Sequence, residues 1–178
     1  MPGVTLHPSG SLLYQPFLTG PAGSAGGKGG VDILDAHTGA FRLRVLLPQQ
    51  FMTDVDGLHG SFLAIDENGQ RLFAITSTDG TAQNAGVTVI TLAKVPLGIG
   101  TLTPASGPAA GGTQITVRGS GFESGATVTI GGKTATVAFK DINTLTVLTP
   151  GLAIGTQTVS ITNLDGETIS LDAAFTAN

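Results

Sequence analysis

Histidine is the side chain best suited to proton transfer near neutral pH, and this sequence has three of them. The first, His7, opens the stretch HPSGSLLY at residues 7–14. A similar stretch, DENGQRLF, stands at residues 66–73, and Asp66 takes the place of the histidine there. Since the two copies share a polar residue but not the same chemical group, the pattern predicts that His7 is a turn residue without a catalytic role.

The other two histidines have different surroundings. His37, in the stretch DAHTGA, falls at the tip of a predicted hairpin, so we expect its side chain to be solvated. His59, in GLHGSF, precedes a predicted strand and has the strongest claim of the three to a functional role. A hydrogen-bonded histidine that orients the beginning of the strand explains the same pattern more simply.

No other set of residues has the spacing that catalysis or metal binding needs. Ser11 and Ser120 lie in predicted turns, without the Gly-x-Ser-x-Gly motif of a nucleophile elbow. The stretch TDVDGLHG offers Asp54 and Asp56 as calcium ligands but lacks the terminal glutamate of an EF-hand. We therefore predict no catalytic residue, no cofactor-binding residue and no metal ligand. The other carboxylates considered fall in predicted turns: Asp66, Glu67, Asp79, Glu123, Asp165 and Glu167.

The composition limits the fold and the partners. The chain has 178 residues, of which 40% are hydrophobic and 11% charged, with 27 glycines and 9 prolines. Glycine and proline favour turns, so many short strands joined by tight turns are predicted. The net charge of −4 argues against binding to nucleic acid or to an anionic membrane surface.

Other sequence features are absent. No stretch approaches the roughly 18 apolar residues of a membrane span, and the beginning, MPGVTLHPSG, has no signal-peptide pattern. The lack of cysteine excludes disulfides and thiolate metal sites. Aromatic residues are sparse, and Tyr14, Phe73 and Phe122 are predicted to point inward. An exposed aromatic platform for sugars is therefore not expected.

In the last 80 residues, apolar residues alternate with threonine, serine or charged residues along six short segments. Such alternation, with turns about every 8–12 residues, predicts an antiparallel β-sandwich. The residues predicted to point inward are Ile115, Val117, Val128, Ile130, Ala135, Val137, Phe139, Leu145, Val147, Val159, Ile161, Ile169 and Leu171.

The first 97 residues contain a repeat. The stretch VTLHPSGSLLYQPF aligns with LAIDENGQRLFAIT, and glycine holds the same place in each turn, at Gly10 and Gly69. A glycine-rich spacer follows each copy, and then a second alternating stretch, GGVDILDAHTGAFRLRVLL or AGVTVITLAKVPLGIGTL. The repeated unit is hairpin, loop, hairpin, which predicts a four-stranded meander like one propeller blade.

These repeats resemble the blades of YVTN/WD40-like β-propellers. The resemblance is carried by HPSGSLLY and DENGQRLF, by the hairpin VDILDAHTGAF, and by GLHGSFLAID before the second repeat. It implies about two blades over residues 1–97 and places His59 near the axial side, where such propellers bind ligands. Because propellers close with roughly 4–8 blades, two blades would leave apolar sheet uncovered. We therefore expect the C-terminal piece of a longer protein, or a chain that self-associates through an uncovered blade edge.

Residues 98–178 resemble an IPT/TIG domain, which is an immunoglobulin-like β-sandwich. In this pattern Gly111 and Gly112 are expected to take positive φ before a core strand, and Gly119 and Gly121 to flank the bend at which Phe122 turns inward. The motifs that carry the resemblance are LTPASGPAAGGTQITVRGSGF at 102–122, VTIGGKTATV at 128–137, TLTVLTPG at 144–151 and VSITNLDGE at 159–167.

Together the patterns predict an all-β chain. Propeller-like four-stranded antiparallel meanders at residues 1–97 are followed by an immunoglobulin-like β-sandwich at 98–178. The resemblances imply a non-enzymatic binding or interaction module of a bacterial extracytoplasmic protein, secreted or at the cell surface. Its ligand would be a protein or a glycan, and it would need no cofactor.

Two other functions compete with this interpretation. The alternative is an accessory region of a propeller or glycan-processing enzyme whose catalytic residues lie outside this chain. DNA binding, which some IPT/TIG domains perform, is not expected, because residues 98–178 carry three basic residues against five acidic ones.

Overall fold

The computed structural model describes residues 3–18, 29–51, 62–78 and 82–178. In these ranges the regular structure is β-strand apart from a 3-10 turn at Ala82–Asn84. Antiparallel meanders come first, and an immunoglobulin-like pair of sheets follows. The predicted all-β class is therefore confirmed.

The chain divides into two compact units, each with its own hydrophobic core. The first unit comprises Met1–Pro8 and Leu12–Val95, and the second comprises Ser9–Ser11 and Pro96–Asn178. The buried apolar residues form two separate clusters, one within each unit.

In the first unit, eight strands form two four-stranded sheets. The strands are β1 (Thr5–Leu6), β2 (Leu12–Leu18), β3 (Gly29–Asp35), β4 (Phe41–Leu46), β5 (Gln50–Phe51), β6 (Leu63–Ile65), β7 (Arg71–Ser77) and β8 (Ala85–Thr91). Sheet A contains β1, β2, β3 and β4, which pair in chain order. In sheet B, β7 pairs with β8 on one side and with β5 and β6 on the other.

The two repeats begin with the same turn. The backbone amides of His7 and Asp66 each donate to the carbonyl five residues later, at 2.9 and 3.0 Å. Gly10 and Gly69 hold the same place in the turns, with φ of 76° and 70°. A side chain makes this backbone region costly, so both copies need glycine here. The aligned stretches therefore fold into matching hairpins.

One buried cluster joins one face of sheet A to one face of sheet B. The hydroxyl of Thr5 also donates to the carbonyl of Leu63 at 3.0 Å, which links β1 to β6. Each sheet thus buries one face against the other and keeps one face outside. The buried members of the cluster are Leu12, Tyr14, Val31, Ile33, Leu47, Phe51, Leu63, Leu72, Ala74, Leu92 and Val95.

The second unit is a sandwich of two sheets. Its strands are β9 (Gly98–Thr103), β10 (Ser106–Gly107), β11 (Gln114–Ser120), β12 (Thr127–Ile130), β13 (Lys133–Thr134), β14 (Thr136–Asp141), β15 (Thr144–Leu148), β16 (Gly155–Thr162) and β17 (Thr168–Ala177). Sheet C has the order β14-β15-β11-β9, and sheet D has the order β10-β17-β16-β12-β13. Only β10 and β17 pair in parallel among the described strands.

Most residues predicted to point inward form the core of this sandwich. Val137, Ile169 and Leu171 are partly buried and pack against the core. The prediction is wrong for Phe139, whose side chain is 38% exposed. Because β14 is the outermost strand of sheet C, the opposite sheet leaves this ring partly uncovered. The fully buried members are Ile115, Val117, Val128, Ile130, Leu145, Val147, Val159 and Ile161.

Glycines shape the second unit as expected. Gly111 and Gly112 have φ of 86° and 81°. A side chain on Gly119 would collide with the carbonyl of Gly98 and with the ring of Phe122. Phe122 is 1% exposed, so the bend does turn its ring into the core.

Two strands of the sandwich are irregular. The pairing of β16 with β17 shifts register, and Ala173 in β17 has φ of 51°, which is rare for a residue other than glycine. The pairing of β14 with β15 shifts between Phe139 and Asp141. Both irregularities lie where side chains are exposed.

Candidate functional site

His7 connects the two repeats of the first unit. Its side chain is 1% exposed and lies against the turn of the second repeat. A Cβ atom on Gly69 would come within 2.6 Å of His7 Cδ2 and within 2.6 Å of the Tyr14 hydroxyl. His7 also makes a hydrogen bond with the backbone of Asn68. The imidazole is therefore enclosed between the two turns instead of lying open in its own turn.

Burial sets the protonation of this cluster. Desolvation lowers the pKa of His7, although the hydrogen bond to Asn68 and the negative charge of Asp66 oppose the shift. Burial also raises the pKa of Tyr14, whose hydroxyl donates to the carbonyl of Gly69 at 3.3 Å. A neutral imidazole and a neutral phenol thus lie side by side near pH 7. Such a closed pair suits a structural role, since a substrate in solvent does not reach it.

Asp66, which holds the position of His7 in the second repeat, makes different hydrogen bonds. Its Oδ1 atom accepts hydrogen bonds from the backbone amides of Gln70 at 2.8 Å and Arg71 at 3.1 Å. The carboxylate therefore closes its own turn. This explains how histidine and aspartate replace each other while the backbone of the turn stays the same.

His37 lies at an exposed hairpin tip, as expected. The turn is held by Asp35, whose Oδ1 accepts from the His37 amide at 3.1 Å, from the Thr38 amide at 2.8 Å and from the Thr38 hydroxyl at 2.8 Å. Asp35 is 3% exposed. The conspicuous polar residues of DAHTGA are thus used to close the hairpin.

The third histidine, His59, lies outside the described residues, together with Asp54, Asp56 and Asp79. Across the described ranges, no group of three or more histidine and carboxylate side chains is placed to hold a metal ion.

Ser11 and Ser120 both belong to the second unit and are fully buried. The hydroxyl of Ser11 donates to that of Ser120 at 2.9 Å, and Ser120 donates to the carbonyl of Pro96 at 3.0 Å. These hydroxyls form a chain that ends on the backbone. They hold Pro96, the residue at which the second unit resumes, in place.

Sequence reasoning missed Asn163, a buried amide in the second unit. Its Nδ2 donates to the carbonyl of Gly121 at 2.8 Å, and its Oδ1 accepts from the amide of Glu123 at 3.2 Å. Asn163 is 3% exposed, so this amide joins the turn after β16 to the bend at Gly121. The sequence signal was the stretch TNLDG, which by itself indicates only a turn.

The aromatic residues divide between core and surface. Tyr14 and Phe122 are buried as predicted. The prediction is wrong for Phe73, because Leu72 and Ala74 on either side of it face the core and Phe73 points to the outer face of sheet B. It is half-buried there and stands opposite Val89 of β8.

The outer face of sheet A carries a compact group of charged and aromatic side chains. Arg44 Nε and Nη2 donate to the two carboxylate oxygens of Asp32 at 2.6 and 2.7 Å. The guanidinium also lies over the ring of Phe17, 4.4 Å from its centre, and 5.9 Å from the centre of the Phe41 ring. A paired guanidinium between two rings is weakly hydrated and suits a contact surface.

The outer face of sheet D is a ladder of hydroxyl groups across β16 and β17. Thr158 donates to Asp172 at 2.9 Å, the hydroxyls of Ser160 and Ser170 are 2.7 Å apart, and those of Thr162 and Thr168 are 2.9 Å apart. These bonds are on the protein surface and leave lone pairs for a ligand. Sequence reasoning found this row only as the polar face of alternating strands.

Comparisons with known proteins identify part of the chain. Residues 97–177 match the family model of the IPT/TIG domain, and no curated protein matches the chain. Among solved structures, the chain is similar to two of plexin A4, both at 16% sequence identity and over 93% of this chain. For the full extracellular region with domains 1 to 10 the TM-score is 0.44, and for domains 1 to 8 it is 0.43.

This chain spans 16% and 18% of the length of those two plexin chains. In the described part of the structure no helix is long and apolar enough to cross a membrane. The family match agrees with the two sheets C and D, with the glycines at positive φ and with the buried ring of Phe122. Residues 97–177 of this chain are therefore an IPT/TIG domain.

Proposed function

We propose that this chain is a non-enzymatic interaction module of an extracytoplasmic or cell-surface protein of the bacterial type, with a protein or glycan as its ligand. The observation that carries the proposal is the IPT/TIG match over residues 97–177. We further propose that residues 1–97 are two propeller-type blades and that residues 98–178 are the IPT/TIG domain.

The use of buried polar groups supports a binding role over a catalytic one. His7, Ser120 and Asn163 are each enclosed and hydrogen-bonded to backbone groups or to neighbouring side chains of the fold. Catalysis requires a polar group that reaches the substrate. These three side chains instead stabilise turns and the joints between strands.

The hydroxyl ladder of sheet D is the proposed contact face for the ligand. It carries little charge, with Asp172 as its one carboxylate along the paired rows, and its hydroxyls both donate and accept. Such a surface complements a ligand with many hydroxyl or amide groups. This favours a glycan or a polar protein surface over a nucleic acid or an anionic lipid.

The test is a binding screen with a matched pair of variants. The full chain is immobilised and exposed to a glycan array and to a set of extracellular proteins. We expect saturable binding of at least one ligand. The substitution Ser170→Arg, which lies on the hydroxyl ladder, should lower the affinity for that ligand at least tenfold. Thr146→Arg, on the outer face of sheet C, is the control and should leave the affinity unchanged.

Three results would contradict the proposal. One is turnover of a lactone, glycan or redox substrate by the chain. Another is a salt-dependent shift of duplex DNA, since the domain would then bind phosphates. The third is a ligand whose affinity is the same for Ser170→Arg and the unchanged chain, which would move the contact away from sheet D.

A further inference from the structure

The two sheets of the first unit carry the same repeat but bury opposite faces. In the aligned repeats, Val31 and Ile33 of β3 correspond to Val87 and Val89 of β8. Val31 and Ile33 are both 0% exposed, whereas Val87 is 66% and Val89 is 54% exposed. The same residue positions are therefore core in sheet A and surface in sheet B.

Strand pairing confirms that these positions are equivalent. Ile33 stands opposite Tyr14 in sheet A, and Val89 stands opposite Phe73 in sheet B. We name this side the front face of each sheet. Its centre includes Tyr14, Pro16, Val31 and Ile33 in sheet A, and Phe73, Ile75, Val87 and Val89 in sheet B.

The reverse holds on the other side, the back face. It includes Leu6, Leu13 and Leu34 in sheet A, and Ile65, Leu72 and Ile90 in sheet B. Leu72 is 0% exposed, and Ile65 and Ile90 pack on the core, while Leu6 of sheet A is 55% exposed. Within the unit, the front of sheet A thus packs on the back of sheet B.

Two faces that carry apolar residues therefore remain outside, the front of sheet B and the back of sheet A, and each corresponds to a face that is buried in the other sheet. The front of sheet B repeats the residues that make the buried side of sheet A, and the back of sheet A repeats those that make the buried side of sheet B. In proteins built from stacked repeats, each repeat packs one face on the next repeat, and the outer faces of the terminal repeats are normally polar. Here the centre of the front of sheet B stays apolar, while Arg71, which takes the place of Leu12, stands with Thr91 at one end of this face.

We infer that the front face of sheet B in one copy of this chain packs on the back face of sheet A in a second copy. The contact repeats between copies the interface that joins the two sheets within one copy. It is a head-to-tail contact, because two different surfaces meet, and such contacts extend or close into rings. The inference rests on the two-repeat part of the proposed function.

The back of sheet A sets the strength of this contact. It has Gln15 and Asp32 where the buried back of sheet B has Ala74 and Thr88. The carboxylate of Asp32 is paired with Arg44, and the rings of Phe17 and Phe41 flank the guanidinium. Since this ion pair has to lose water on contact, we expect association between copies to be weaker than the internal packing and reversible.

The experiment uses complementary variants of the full chain. Sedimentation velocity and light scattering over a range of concentrations should show that the unchanged chain associates reversibly. Val89→Glu on the front of sheet B and Leu6→Glu on the back of sheet A should each give a monomer. Ile154→Glu in the second unit, where the side chain is 81% exposed, is the control and should associate as the unchanged chain does.

A mixture of the two monomeric variants decides the geometry. The Val89→Glu chain keeps its sheet A back face and the Leu6→Glu chain keeps its sheet B front face, so an equal mixture should form a dimer and nothing larger. Circular dichroism checks that both variants fold, and Val87→Glu and Val4→Glu replace either one that does not.

Other outcomes overturn the inference. A monomer at every concentration, a mixture that stays monomeric, or loss of association with only one of the two variants would each exclude the head-to-tail contact. The ligand screen separates this inference from the proposed function. A monomeric chain that still binds its ligand through sheet D leaves the function standing and removes only the self-association.

Discussion

The two units of this chain use β-sheets in opposite ways. In the second unit each sheet has one apolar face, and the two apolar faces close on each other. In the described part of the first unit both faces of both sheets carry apolar residues, and one face of each is buried in the core. A sandwich is complete with two sheets, whereas a stack of repeats has an open face at each end. The same β-structure thus gives a closed sandwich in one half and, by our inference, a stack that a further copy can extend in the other.

The units also differ in the polar side chains that they bury beside their apolar cores. The first unit encloses an ionisable pair, His7 and Tyr14, at the contact between its repeats. The second encloses Ser120, Thr149 and Asn163, none of which titrates near neutral pH. Of these buried polar groups, those of the first unit should therefore respond to pH near neutrality and those of the second should not.

The largest effect is expected in the closed core of the second unit. Phe122→Ala removes a ring that is 1% exposed, and should lower the free energy of unfolding by about 3–5 kcal/mol. Phe139→Ala removes a ring of the same size at the sheet edge and should cost under about 1.5 kcal/mol. Urea denaturation of both variants measures the difference, and equal losses would mean that β14 is covered.

The next largest loss of stability is expected when the glycine is replaced in one of the two matching turns of the first unit. Gly69→Ala places a Cβ atom against His7 and Tyr14 at a φ of 70°, so strain and overpacking together should cost about 2–4 kcal/mol. Gly10→Ala is the matched control, because its φ is 76° and no atom lies within 4 Å of the new Cβ. It should cost only about 1–2 kcal/mol. Losses of equal size would contradict the contact between the repeats.

Lowering the pH should reduce the stability of the first unit through His7. Because burial lowers the pKa of His7 below its ordinary value of 6.5, the unfolded chain binds a proton more readily than the folded one. The stabilisation is complete above pH 6.5 and is lost as the pH falls towards the lowered pKa, by at most about 1.4 kcal/mol per pH unit. His7→Gln should reduce this slope between pH 7 and pH 5 in the first unit.

The nearby groups define the control for the acid experiment. The carboxylate of Asp66 and the phenol of Tyr14 face the imidazole, and burial raises the pKa of Tyr14, so the phenol stays neutral between pH 7 and pH 5. Thermal unfolding followed at several pH values resolves the two units if they melt separately. A slope that His7→Gln leaves unchanged would assign the acid response to other residues.

The smallest effect concerns the irregular strand of the second unit. Ala173→Gly should raise the free energy of unfolding by about 0.5 kcal/mol, since glycine takes a φ of 51° without strain but loses more entropy on folding. Ala138→Gly, at an exposed place in β14, should lower it by about 0.5–1 kcal/mol. If both substitutions destabilise the domain, the left-handed backbone at Ala173 costs less than we infer.

Alternation and glycine motifs predicted the second unit well, because each of its strands has one apolar face. Val117 and Val159 could be placed in the core from their spacing alone. The same reasoning fails for Phe73, because a strand that is apolar on both sides does not reveal which side is covered. The surroundings of His7 were also beyond prediction. They depend on a turn in the other repeat, and only the folded chain brings the two turns together.

The open edge of sheet C has a consequence for crowded surroundings. An exposed, regular edge strand offers its main-chain groups to any other chain and is a common origin of aggregation. In β14 the register shift between Phe139 and Asp141 breaks that regular row, and Lys140 between them adds a charge that an incoming strand would have to bury. This edge of the domain is therefore a poor template for pairing with the sheet of a neighbouring copy.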